Sequence, residues 1–179
     1  TRNDADAIGV QTSQDYIGIL VGEVTGNWNN TGARPVYRGP EQNVAIALPS
    51  LAAVAGYEIV VPVNIQGGAD KEVISYEFDL KYDPAVIVPT TDPVDVTGTA
   101  SRGLSFVVNA EQPGLIRVVM YGAMPIDAAE TLLKLRFNAV GVPWSVSPLT
   151  FENFILNEGL ALTLTNGKAE ILAQSNFLT

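Results

Sequence analysis

Between residues 74 and 83 apolar and polar side chains alternate without a break. Ile74, Tyr76, Phe78, Leu80 and Tyr82 stand on one parity, and Ser75, Glu77, Asp79, Lys81 and Asp83 on the other. A strand with one buried face needs this period of two, whereas a helix would scatter the same residues around its axis. Upstream, over residues 58–66, Ile59, Val61, Val63 and Ile65 repeat the pattern, and Gly67-Gly68 lies between the two runs. The two apolar rows are expected to share one core.

The chain after residue 43 continues in the same manner. Residues 44–48 read as a strand ended by Pro49, and 86–88 as a short edge piece before Pro89, with 90–102 a polar loop. Residues 104–109 and 115–121 flank Glu111-Gln112-Pro113-Gly114 and are expected to form a hairpin. Leu133, Leu135 and Phe137 alternate with Lys134, Arg136 and Asn138, which makes that segment a strand too. Residues 149–156 read as another strand. Residues 160–164 and 169–172 flank Asn166-Gly167, a hairpin signal. Many short strands and little helical periodicity indicate an all-β sandwich or barrel.

The first 42 residues differ. Within 16–24, Tyr16, Ile17, Ile19, Val21 and Val24 are interleaved with Gly18 and Gly22. Two interior glycines would each cost a helix about 1 kcal/mol, so the segment reads as a strand. Residues 25–42 are polar and rich in Gly and Pro, as a linker is. The expected organisation is an N-terminal extension over 1–42 and a β-domain over 43–179.

Composition removes several function classes. There is no Cys and no His, hence no disulfide, thiolate or His-dependent nucleophile, and none of the usual zinc ligands. A net charge of −9 argues against nucleic acid and anionic membranes as partners. No apolar run approaches the roughly 20 residues that span a bilayer, so no membrane insertion is expected.

Four stretches carry a family resemblance. The run Gly56-Tyr57-Glu58-Ile59-Val60-Val61-Pro62-Val63 resembles the G-x-x-x-x-VPV strand of cohesin domains. The alternating run ending in Tyr82-Asp83-Pro84-Ala85-Val86-Ile87 is similar to the strand that ends in YDP-x-x-L in that family. Residues 132–137 resemble its late L-x-x-[IL]-x-F strand, and Gly167-Lys168-Ala169-Glu170-Ile171 its terminal G-x-[AV]-x-[VI] strand. Residues 22–28 resemble the stretch that follows dockerin-like repeats in bacterial secreted proteins, although only Asp4 and Asp6 hint at a calcium loop. The resemblance spans about residues 43–172. It implies a nine-strand, jelly-roll-like β-sandwich on a secreted or cell-surface protein of a bacterium or archaeon. It also implies a non-catalytic role, with dockerins as partners bound mainly through one sheet face. It assigns no contact residues.

Three constellations invite chemistry. Glu77, Asp79 and Asp83 would suit paired-carboxylate catalysis, but the unbroken alternation makes them a solvated strand face. Asp92, Asp95 and Asn109 offer oxygen ligands for calcium without EF-hand spacing, so no cofactor is expected, calcium remaining the one candidate. Trp28, Tyr37 and Trp144 would stack on sugars, or act as local packing anchors. Three functions are consistent with this: self-association, in which strand 16–24 (Tyr16, Ile17, Ile19, Val21, Val24) completes the sheet of a neighbour; recognition of a dockerin-like module by a monomer; and carbohydrate binding. None is enzymatic.

Overall fold

The computed structural model describes residues 44–68, 71–127, 129–157 and 159–174. The expected donor residues Tyr16, Ile17, Ile19, Val21 and Val24, with Trp28 and Tyr37, lie outside them. The described residues form eleven strands and no helix. In chain order these are β1 (Val44–Ala47), β2 (Ser50–Val54), β3 (Glu58–Gln66), β4 (Ser75–Lys81), β5 (Ile87–Asp95), β6 (Ser105–Asn109), β7 (Leu115–Tyr121), β8 (Thr131–Ala139), β9 (Val146–Leu156), β10 (Leu162–Thr165) and β11 (Gly167–Leu172).

They build a sandwich of two sheets. One has five strands in the order β10-β1-β3-β8-β5, the other six in the order β2-β11-β9-β4-β7-β6. The two periodic runs of the sequence are β3 and β4, one in each sheet. Ile59, Val61, Val63 and Ile65 of β3 are buried, as are Tyr76, Phe78 and Leu80 of β4, and all belong to one hydrophobic cluster. Tyr82, just past β4, meets Phe137 of β8 in the opposite sheet with ring centroids 5.4 Å apart. The two rows therefore do share a core. Ile74, at the head of the alternation, lies before β4 begins and is exposed rather than buried.

Asp83 turns the chain out of β4. Its carboxylate accepts the N–H of Ala85 (2.9 Å), and its carbonyl accepts those of Val86 (3.0 Å) and Ile87 (3.1 Å). Pro84 fits such a corner because its φ is fixed and no N–H is required of it.

Three local expectations change. β5 does not stop at Pro89 but runs on to Asp95, with its register against β8 broken between Pro89 and Val94. An edge strand tolerates prolines because half of its N–H groups bond to nothing. Strand β2 follows Pro49 directly, although Ser50-Leu51-Ala52-Ala53-Val54 carries no clear alternation of buried and exposed residues. Asn166-Gly167 is not a hairpin turn: β10 pairs parallel to β1 and β11 pairs parallel to β2, in different sheets. Asn166 marks the crossing, its side-chain carbonyl accepting the N–H of Phe151 (3.0 Å). A Cβ on Gly167 would collide with the Pro49 carbonyl and Leu48, so the close approach of the β1–β2 link to β11, not a left-handed turn, requires glycine there.

A candidate docking face

The six-stranded sheet presents its outer face through β9, β4, β7 and β6. Residues paired across antiparallel strands share a face, so the register fixes which side chains lie in line. One row is Ser105, Tyr121 and Ser75. The next is Val107, Val119, Glu77 and Ile155, and the third is Asn109, Arg117, Asp79 and Asn153. Val107 is 57% exposed, Tyr121 50% and Val119 40%, so water meets an apolar strip along β6 and β7.

Charge brackets this strip. Arg117 lies 3.3 Å from the Asp79 carboxylate, and Lys81 lies 2.5 Å from Glu152, the residue that the bulge in β9 adds opposite β4. Lys81 and Glu152 are exposed and Arg117 is exposed beside a half-buried Asp79, so each pair is worth about 1 kcal/mol or less to the fold. Glu77 differs: it stands exposed in the middle of the apolar row, with no cation or hydrogen-bond donor assigned to it among the described residues. Near it a shallow depression of about 250 Å³ is lined by Ser75, Val119, Tyr121, Ile155 and Asn157.

The floor beneath this face is a cluster of packed aromatic rings. Phe78 stacks on Phe154 at 5.3 Å and meets Phe151 edge-on at 5.7 Å, while Tyr76 stacks on Phe154 at 6.0 Å. The Tyr76 hydroxyl shares a 2.7 Å hydrogen bond with the hydroxyl of Ser101, itself fully buried. Burial pushes the Tyr76 phenol well above its usual range, so it stays neutral and able to donate. Tyr76→Phe is expected to destabilise the domain by about 1–3 kcal/mol, because the Ser101 hydroxyl loses its partner in a dry site. Urea unfolding measures this, and a loss below a few tenths of a kcal/mol would mean that Ser101 finds another partner.

At one end of the face Asn157 holds the approach to β4. Its side-chain carbonyl accepts the N–H of Ile74 (2.9 Å) and Ser75 (3.3 Å), and its amide donates to the Glu72 carbonyl (3.3 Å). Asn157 adopts φ 48°, a left-handed conformation that asparagine tolerates better than most residues. Nothing in the sequence marked this clamp, since a lone Asn before Glu158-Gly159 reads as an ordinary strand end.

The outer face of the five-stranded sheet is more polar. Arg136 grips Glu58 with two hydrogen bonds, 2.9 and 3.0 Å, and Lys134 donates to the Thr97 carbonyl at 2.9 Å. Its exposed apolar residues Val60 and Val88 face Arg136 and Asn138 across the ladder and make no strip.

The remaining candidates separate. Asp79 is engaged by Arg117 on the sheet face, whereas Asp83 serves its corner, so the two do not converge on a reacting centre. Asp92 and Asp95 lie on β5 in one sheet and Asn109 on β6 in the other. The Asp95 carboxylate accepts the Thr97 N–H (2.7 Å), which lowers its pKa, and the Asn109 side chain accepts the N–H of Glu111 (3.1 Å). Among the described residues no group of three or more acidic side chains is placed to hold a metal. Trp144 is 69% exposed on the β8–β9 loop, at φ 71°, with its backbone N–H bonded to Ile171.

Comparison with known proteins agrees with this architecture. A family model described as the cohesin domain matches residues 44–172. Among solved structures, the sixth cohesin of scaffoldin B from Acetivibrio cellulolyticus, in complex with a Cel5 dockerin mutant, superposes with a TM-score of 0.63 at 17% identity. That match covers 72% of this chain and 99% of the other. A non-cellulosomal cohesin from the archaeon Archaeoglobus fulgidus gives 0.62 at 24% identity, covering 74% and 94%. The cohesin of a Clostridium thermocellum cohesin–dockerin complex gives 0.59 at 22%, covering 73% and 99%. A search of curated proteins returned no match.

Proposed function

This chain belongs to the cohesin domain family, and from that premise we propose that it is a non-catalytic recognition module of a secreted or surface scaffold protein, which docks a dockerin module on the outer face of β9-β4-β7-β6. The observation that carries the reading is the row Val107, Val119, Glu77, Ile155. An apolar strip open to water, on one sheet only among the described residues and rimmed by ion pairs, has the anatomy of a protein interface. Glu77 adds a requirement on the partner. A docked surface would bury this carboxylate, which is costly unless the partner brings a cation to it. The partner element therefore carries a Lys or Arg flanked by aliphatic side chains.

Related structures support the partner class, since two of those compared above were solved as cohesin–dockerin complexes. The test is calorimetric titration of the full chain with a panel of dockerin modules. Saturable one-to-one binding by at least one is expected, weakened about tenfold in Glu77→Gln and made less sensitive to salt. A panel without a binder, or a Glu77→Gln variant that binds as wild type, would overturn the corresponding part of the proposal. The scaffold location is checked separately by fractionating native cells, where recovery in the cytoplasm would refute it.

A further inference from the structure

The four lateral edges of the sandwich are not equally protected. β5 carries Pro89, Pro93 and a register break. β2 and β10 lie where the chain passes between the sheets through Leu48-Pro49 and through Asn166 alone, which closes that side. β6 has none of these devices. Ser105-Phe106-Val107-Val108-Asn109 contains no charge, proline or glycine, and is rich in the residue types that favour strands. Among the described residues it pairs with β7 alone, and no other backbone hydrogen bond engages it. Natural sheets rarely leave such an edge open, because its unpaired N–H and C=O groups template the next strand.

The strand is also complementary to itself. Antiparallel pairing of two copies about Val107 sets Val107 against Val107, Phe106 against Val108, and Ser105 against Asn109. Apolar residues meet apolar ones, polar ends meet polar ends, and no like charges oppose. Phe106 lies on the inward parity, opposite the fully buried Met120, yet is 40% exposed, because no strand of the described residues lies on its far side. A second β6 would cover it.

We infer that β6 is the interface of a two-fold homodimer in which the six-stranded sheets of two copies join edge to edge, antiparallel and centred on Val107. The symmetry is closed, since each copy uses the one edge that is unprotected among the described residues. Both docking faces then lie on the same side of one continuous sheet, so a partner with two recognition elements would engage both at raised effective concentration.

The test uses the full chain at rising concentration in sedimentation equilibrium. The mass is expected to climb from the 19.0 kDa monomer to twice that value as the concentration rises toward about 1 mM, an affinity suited to a small interface. It should do so more readily at high salt, because each copy carries −9. The variants S105K/N109K and S105E/N109E change only exposed positions. Each is expected to weaken self-association at least tenfold, since like charges then face each other twice. An equimolar mixture of the two should recover the dimer, a rescue that misfolding would not produce. Three results would overturn the proposal: a wild type that stays monomeric throughout, charge variants that dimerise as wild type, or species larger than two copies. The last would favour open-ended strand donation by residues 16–24 instead.

Discussion

Val119→Asp is expected to reduce dockerin affinity by at least a hundredfold while the domain stays folded. Val119 sits at the middle of the outer face, between Val107 on β6 and Glu77 on β4. The substitution removes a central apolar contact and places a second carboxylate beside Glu77. Once a partner covers the row, two adjacent negative charges compete for one incoming cation, and the one left unpaired is desolvated. Central interface residues cost about 2 kcal/mol or more when truncated, and an added buried charge raises the cost further. The fold should lose only about 1 kcal/mol, because the side chain points to water and strand propensities span about that range. Val60→Asp, at an exposed valine of the other sheet, is the control and should leave affinity unchanged. The two variants are compared by titration after circular dichroism shows both folded. Equal affinities for Val119→Asp and wild type would remove the docking face from β7.

The core was legible where one face of a strand is buried and the other wet. Period two then writes itself into the sequence, which is why β3, β4, β7 and β8 were readable from their residues. β2 was not, because Leu51, Ala52 and Ala53 are small or only half covered and leave no alternation to read. Asn166-Gly167 misled for a different reason. The pair favours a left-handed turn locally, but here a tertiary demand, the crowding of Gly167 against Leu48 and Pro49, uses the same residues to change sheets. Proline ended the expected edge strand at Pro89, although the missing N–H matters little on an edge.

The docking face was less legible than the core. Alternation identifies Glu77, Asp79 and Lys81 as outward but not what lies beside them. Only the register across β6, β7 and β9 shows that Arg117 answers Asp79, that Glu152 answers Lys81, and that Glu77 is left among valines. These contacts join residues far apart in the chain, and no local pattern encodes them. The same holds for Tyr76 with Ser101 and for Asn157 with Ile74 and Ser75.

The aromatic floor supports the second large effect. Phe78→Ala is expected to destabilise the domain by about 3–5 kcal/mol, the usual cost of emptying a large buried ring site. Phe78 is 1% exposed, and its ring touches Phe154, Phe151 and Tyr76 at 5.3, 5.7 and 6.5 Å. Collapse into the hole is resisted because both neighbouring strands, β7 and β9, are held in register through the ladders on either side of β4. For a domain of this size the midpoint of thermal unfolding should fall by roughly 10 °C or more. Phe78→Leu fills much of the volume and should cost less than half as much, since the cavity term shrinks with the void. Chemical denaturation of the two variants separates the contributions. Similar losses for alanine and leucine would mean that ring stacking, rather than filled space, holds the floor; a loss under 1 kcal/mol for alanine would mean that β4 is not the centre of the core. Because Val119 and Glu77 lie directly above this floor, the alanine variant should also weaken docking at temperatures where it is still folded, whereas Val60→Asp should not.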